Sequence, residues 1–337
     1  MSTFRAVRFV AILSFLLSTI LLAQAAQARP TLAPSASSVR AAQMQEQTPP
    51  AAPAVEPLIP PKEHTVLGEL EIITINSKLF RNIRNLRVWL PANYFAPVNR
   101  NKHYPVLYMQ DGQNLFDEAT AQNHEWKFDE TVEFLTGSMR IGPMIVVGID
   151  NAGGRRTNEY LPYPDPDNKE LGKPESRDVH GKEYGDFVIK EVMPLVQKKY
   201  RVALGPQNTG LGGASYGAAV TLTTLLAHPG VFGKALIESP SLLIGNGQLL
   251  KDAEKATQFP QRMYLAIGAA EESDEKASET DADAVRELEK ILRAKGLGPN
   301  RLKVVVEEGA HRDEIAWSKR LQNALLFLYG SDIHLLK

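Results

Sequence analysis

The chain has 337 residues, 43% of them hydrophobic, with 38 Lys and Arg against 39 Asp and Glu and no cysteine. That length allows one large or two small domains, and a mean hydropathy of −0.22 is that of a globular protein with an ample core. Near-neutral charge without a long run of one sign excludes a nucleic-acid surface, and the missing cysteine excludes thiol nucleophiles, disulfides and thiolate-bound zinc.

The first 28 residues read as an export signal. Arg5 and Arg8 precede an apolar run from Phe9 to Ala23, and Ala26-Gln27-Ala28 fits a small-residue cleavage site. The run is shorter than the ~20 residues needed to span a bilayer, so the mature protein is expected outside the cytoplasm, periplasmic or extracellular, without stable membrane insertion. Residues 29–62 are rich in Pro, Ala, Ser and Gln and cannot bury enough surface to offset their ordering entropy, which predicts a disordered tether. A single domain is expected over 63–337.

Within it, Leu67–Ile75 and Ile83–Leu90 read as antiparallel strands. Pro105–Met109 and Pro143–Ile149 are short, continuously apolar runs, as strands buried on both faces of a parallel sheet require. Asn151–Asp178, with four prolines, is patternless and predicts a long functional or mobile loop. A helix follows over Glu183–Lys199, with Tyr184, Phe187, Val188, Val192, Leu195 and Val196 on one face. Further strands are predicted from Gly210, at Lys234–Glu238, at Arg262–Ile267 and at Leu302–Val306. Helices are expected over Ala218–Ala227, Ala282–Ala294 and Asp313–Leu328. Strands alternating with helices imply an α/β fold with a mostly parallel central sheet flanked by helices.

The chemistry centres on Gly213-Ala214-Ser215-Tyr216-Gly217, a G-x-S-x-G sequence between a short apolar strand and a small-residue helix. This is the nucleophile elbow of α/β-hydrolases: a serine on a strained turn, with glycines where side chains would collide. A serine nucleophile needs a base, and the base an orienting acid, in the chain order Ser, acid, His. Of seven histidines, His64, His103, His124 and His180 precede Ser215, His228 reads as a helix-end residue, and His334 lies in the tail. His311, directly after the last strand, remains as the base. The acid is expected in the loop after Ile267-Gly268. Glu271 stands first there, Glu272 and Asp274 remain alternatives, and Asp150 is a weaker rival. Backbone amides of Tyr216 and Gln113 are the expected oxyanion hole, with Gly112 letting the loop turn towards the serine.

Val106 through Asp117, then Trp126, Val147-Gly148-Ile149-Asp150-Asn151, Arg156, Glu159 and Tyr160, together with the elbow, Phe232-Gly233-Lys234, Ser239-Pro240-Ser241 and Gly309-Ala310-His311 through Trp317, resemble the putative esterase family. That family includes enterochelin esterases, feruloyl esterases and S-formylglutathione hydrolases. The resemblance, from about Leu67 to Leu328, implies an α/β-hydrolase fold and a Ser–acid–His triad with neither metal nor cofactor. It departs at Ala218, where family members often carry a second glycine. It also implies an ester substrate, small or glycan-linked, on a carbohydrate or a siderophore. Trp126, Arg156, Glu159 and Tyr160 are then substrate-lining residues, or else packing residues and an Arg156–Glu159 ion pair. Two alternatives to an exported serine carboxylesterase stand: a non-catalytic binding protein on the same fold, and an acyltransferase using the same triad.

Overall fold

The structure, a computed structural model, describes residues 62–165 and 178–330. The expected signal segment, all but the last residue of the expected tether, and His334 lie outside them. Eight strands form one sheet in the order β1-β2-β4-β3-β5-β6-β7-β8. They are β1 (Glu69–Asn76), β2 (Ile83–Leu90), β3 (Val106–Gln110), β4 (Ile145–Ile149), β5 (Thr209–Ala214), β6 (Lys234–Glu238), β7 (Arg262–Gly268) and β8 (Leu302–Glu307). Strands β1 and β2 pair antiparallel to each other and β2 to β4, while β3 to β8 run parallel. The chain thus starts from the antiparallel edge and winds a parallel sheet beside it.

Alternation along each strand builds two cores, as a pleat requires. Val106 and Tyr108 of β3, with Leu211, Ile237 and Leu265, face one layer, formed by α3 (Gly181–Phe187), α4 (Met193–Lys199), α5 (Tyr216–Ala227), α6 (Ile244–Lys255) and α7 (Glu275–Ala294). Leu107, Met109, Leu236, Tyr264 and Ala266 face the other, formed by α1 (Phe128–Gly137) and α8 (Glu314–Tyr329).

The strands fall within two residues of the expected ones. The helices differ more. The predicted 183–199 helix starts at Gly181 and is interrupted by a π turn over Val188–Val192. Helix α7 begins seven residues before the expected Ala282, because Asp274 caps it by accepting a hydrogen bond from Ala277 N. Helices α1 and α6 were not expected. Two acids stand in the first turn of α1 and blur its apolar stripe. Helix α6 opens on three left-handed residues, Gly245, Asn246 and Gly247, which read as a loop. Of the expected loop over 151–178, residues 166–177 lie outside the described residues, and its described part contains a short helix, α2 (Arg156–Tyr160).

Candidate active site

The carboxyl ends of the parallel strands carry the loops that meet at Ser215, as open α/β sheets dictate. Strand β5 ends on Ala214 and α5 begins on Tyr216, so Ser215 alone makes the turn, with φ 54° and ψ −122°. A non-glycine residue held there costs about 1–3 kcal/mol, and such strain survives only where surroundings impose it. They do so here. Ser215 N donates to the Glu238 carbonyl at 3.0 Å, while the Ser215 carbonyl accepts from Ala218 and Ala219 at 3.1 and 3.0 Å. Gly213 and Gly217 pack against each other: a Cβ on Gly213 would sit 2.6 Å from the Gly217 carbonyl oxygen. Tyr216 opens α5, so its amide lies in the first turn, where N–H groups point out of the helix towards incoming negative charge.

The loop after β3 presses on this elbow. Asp111 takes the left-handed conformation at φ 55° and ψ 48°. Gly112, expected to supply that turn, is needed for another reason: a Cβ there would lie 2.5 Å from the Gly148 backbone of β4. Arg156 grips Asp111 with two parallel hydrogen bonds, Nε to Oδ1 at 2.6 Å and a terminal nitrogen to Oδ2 at 2.8 Å. Its guanidinium also lies over the Tyr160 and Tyr216 rings, 5.0 and 5.7 Å from their centroids. Burial acts to lower the Arg156 pKa, but Asp111 outweighs it and holds the group above its usual range. Asn151 Nδ2 donates to Asp111 Oδ1 at 2.7 Å, and Asn151 N to Gln113 Oε1 at 3.1 Å. The Gln113 side chain thus ties the loops after β3 and β4 together.

After β7, Glu271 is buried, and its Oε1 accepts from Gly268 N at 2.8 Å and from Ser239 Oγ. Its Oε2 pairs with Arg312 Nε at 3.1 Å. Burial raises the Glu271 pKa, and Arg312 and Ser239 oppose the rise. Ser239 in turn accepts from Trp317 Nε1 at 2.9 Å. The loops after β7 and β8 are zipped by Ala269 N to Glu307 O at 2.8 Å and Ala270 N to Ala310 O at 3.0 Å. His311 is exposed, and its Nδ1 sits 2.7 Å from the Ala270 carbonyl. A carbonyl can only accept, so Nδ1 carries the proton and Nε2 is left as the basic nitrogen. Arg312 points inward, held by Asp281 at 2.7 Å and Glu272 at 3.4 Å besides Glu271.

Two cavities meet at Ser215. One is an open cleft of about 860 Å³ with Tyr216, Ser241, Leu243, Thr280 and Arg312 in its walls. Its acidic and basic lining among the described residues is five carboxyl groups (Asp165, Glu271, Glu272, Asp274, Asp281) against Lys276 and Arg312. The other, of about 190 Å³, is lined by Asp111, Asn114, Trp126, Arg156, Glu314 and Trp317 among others. Ser215 and Arg312 belong to both walls, and no histidine among the described residues lines either.

The structure brings together Ser215, Tyr216, Trp126, Arg156, Glu271 and the Arg312 neighbour of His311. Gln113 and His311 stand in the adjoining loops. Tyr160 is fully buried and backs the site without lining it, its hydroxyl accepting from Asp111 N at 3.3 Å under the Arg156 guanidinium. Glu159 lies elsewhere, buried under β2 and bound by Arg84 and Asn82. The Arg156–Glu159 pair considered as an alternative does not form, because each has found another partner. Asp150, the rival acid, is taken by Arg87 at 2.7 Å. Sequence reasoning missed Arg312, Asn114 and Glu314. Burial raises the Glu314 pKa, and Asn114 donates to Glu314 at 3.2 Å across 200 positions of sequence. No local signal reveals such a pair.

Comparison with known proteins adds the following. The family model described as Putative esterase matches residues 77–328. An uncharacterized protein of Bacillus subtilis, YbbA, is 24% identical over 74% of this chain and 94% of its own length. An endo-1,4-beta-xylanase/feruloyl esterase of Xylanibacter ruminicola is 22% identical over 78% of this chain but 31% of its own. Among solved structures, the BES protein of Bacillus cereus superposes with a TM-score of 0.61 at 20% identity, covering 80% of this chain and 98% of its own. The enterobactin esterase of Shigella flexneri does so with 0.57 at 18%, covering 79% and 61%. At these identities the structural matches establish the fold.

Proposed function

From the premise that this chain belongs to the Putative esterase family and hydrolyses carboxylic esters, we propose that it does so through an acyl-enzyme on Ser215. The observation that carries the reading is the strained φ 54° of Ser215 at the junction of two cavities. In this reading Ser215 Oγ attacks the ester carbonyl, and His311 Nε2 takes the hydroxyl proton and returns it to the leaving alkoxide. Water then repeats the step on the acyl-enzyme. The amides of Tyr216 and Gln113 bind the oxyanion, and Glu271 is the acid of the triad. In the structure His311 Nδ1 is on the Ala270 carbonyl and Glu271 is held by Gly268, Ser239 and Arg312. The reading therefore requires His311 to leave that carbonyl and turn inward past Arg312, Nδ1 to Glu271 and Nε2 to Ser215 Oγ.

The cleft speaks to the substrate. Five carboxylates against two cations repel an anionic ester and suit a neutral, hydroxyl-rich leaving group. The enterobactin esterase neighbour and the feruloyl esterase relative bear names of siderophore and plant-phenolic esters. Of these, a carbohydrate-linked ester is the proposal here, handled outside the cytoplasm as the expected leader implies. The test is fluorophosphonate labelling with peptide mapping, beside rates on a neutral acylated oligosaccharide and an anionic siderophore ester. One adduct on Ser215, absent from Ser215→Ala, and faster turnover of the neutral ester are expected. No adduct on folded protein would sink the serine mechanism, and preference for the anionic ester would sink the substrate assignment alone.

A further inference from the structure

Away from Ser215, three carboxylates converge where the chain enters α1. One oxygen each of Glu125, Asp129 and Glu130 lies within 4.8 Å of the other two. Lys127, in the left-handed conformation at φ 58°, makes the turn that brings Glu125 back beside the first turn of the helix. Asp129 is 0% exposed and Glu125 4%. Part of this charge is satisfied. Leu67 N donates to Asp129 Oδ2 at 2.7 Å, and Thr65 Oγ1 to Glu125 Oε2 at 2.9 Å. The rest is not. Asp129 Oδ1 and Glu130 Oε2 are sealed from solvent without a hydrogen-bond donor among the described residues.

Nor does a cation among the described residues pair with them. Lys62, His64 and His124, the basic residues nearby, pair with Glu118 and Asp117. Lys127 is exposed and forms no ion pair with the three, acting on Glu125 only through its charge. Burial first, and Glu130 second, hold Asp129 well above the usual carboxylate range, as expected of a group that lacks a positive partner. Two species relieve such a cluster, a shared proton or a cation. One proton bridges one pair of oxygens and leaves two further charges close together. A divalent cation answers all three carboxylates at once, and oxygen-only donors suit a hard ion.

We propose that Glu125, Asp129 and Glu130 form a calcium site in which the buried, unpartnered Asp129 Oδ1 and Glu130 Oε2 are ligands. Oxygens that lie within 4.8 Å of one another are close enough to share one ion at Ca–O distances of about 2.3–2.6 Å. Calcium is favoured because it accepts irregular sets of carboxylates, whereas magnesium demands a near-ideal octahedron and keeps several of its waters. Water completes the coordination on the Glu130 side, which is the less buried. The site does no chemistry on the ester. It ties residues 65–67 to the first turn of α1 and braces Trp126, next in the chain to Glu125 and part of the small cavity wall at Ser215.

The experiment is calcium titration of the full chain after stripping with a chelator, followed by calorimetry and thermal unfolding. One site per chain is expected, with Kd of about 10⁻⁵–10⁻³ M, a Tm rise of about 5 °C in 5 mM calcium chloride, and a smaller rise in magnesium chloride. Asp129→Asn is expected to abolish the calcium response while the protein remains folded, because Asn keeps the acceptor for Leu67 N. Glu130→Gln is expected to weaken binding at least tenfold. A stripped protein whose Tm moves less than about 1 °C with calcium would overturn the proposal in favour of the shared proton. So would a calcium response that survives both substitutions.

Discussion

Gly268, the last residue of β7, is where the fold and the proposed chemistry meet most directly. A Cβ there would lie 2.1 Å from the Ala310 carbonyl oxygen, against the 3.0 Å below which real contacts essentially never fall. In Gly268→Ala the loop after β8 must therefore retreat by about 1 Å. The move stretches the 3.0 Å bond from Ala270 N to Ala310 O and carries His311 with it. Losing one such bond and crowding a packed loop costs about 1–3 kcal/mol, a few degrees in Tm and not enough to unfold a domain of this size. Catalysis should suffer far more, because a displacement of ~1 Å in an attacking constellation is worth roughly 10²-fold in rate. The assay is kcat/KM on a p-nitrophenyl ester together with the rate of fluorophosphonate labelling, both expected to fall about 10²-fold. Gly298→Ala serves as control, since its Cβ would meet nothing within 4 Å. If Gly268→Ala turns over within twofold of the parent, the loop after β8 does not carry the base and the assignment of His311 fails.

Three further outcomes are expected. In Glu271→Gln, kcat should fall about 10²–10⁴-fold with KM little changed if the carboxylate serves the base; a loss below tenfold would assign Glu271 to anchoring Arg312 alone. Arg156→Ala leaves Asp111 without its bidentate partner under the elbow; a loss of about 1–3 kcal/mol in urea unfolding and roughly tenfold in kcat is expected, and unchanged kcat would free the Asp111 loop from any part in catalysis. Glu238, fully buried behind the elbow with Arg320, is pushed up to about 7 by burial, with Arg320 opposing. A carboxyl raised in the folded state holds its proton there more tightly than in the unfolded chain. Its stability contribution is therefore complete below about pH 4.5 and is lost as pH rises to about 7, a fall of about 3 kcal/mol. Urea unfolding at pH 5 and pH 8 should show that fall in the parent and a smaller one in Glu238→Gln; equal falls would refute it.

Much of this molecule is written locally. The strand and elbow at Gly210–Gly217 are legible because their requirement is local: a serine at positive φ needs small residues two positions to either side, and those occur in the same five letters. The doubly buried strands are legible for a similar reason, since a strand covered on both faces must be apolar throughout. Helix α1 was hidden, because Asp129 and Glu130, which complement the helix N-terminus, interrupt the apolar pattern that would betray it. Partners were hidden too. Arg156 takes Asp111 rather than Glu159, three positions away, because α2 turns Glu159 under the sheet towards Arg84. The residue presented to Ser215 after β8 is Arg312, although the family pattern draws the eye to His311. Sequence alone determined the hydrolase architecture and the strained turn at Ser215 on which the proposed chemistry rests. Only the tertiary structure decided which side chain of each loop faces inward, because that depends on charge neutralisation between groups that the chain brings together across dozens of residues.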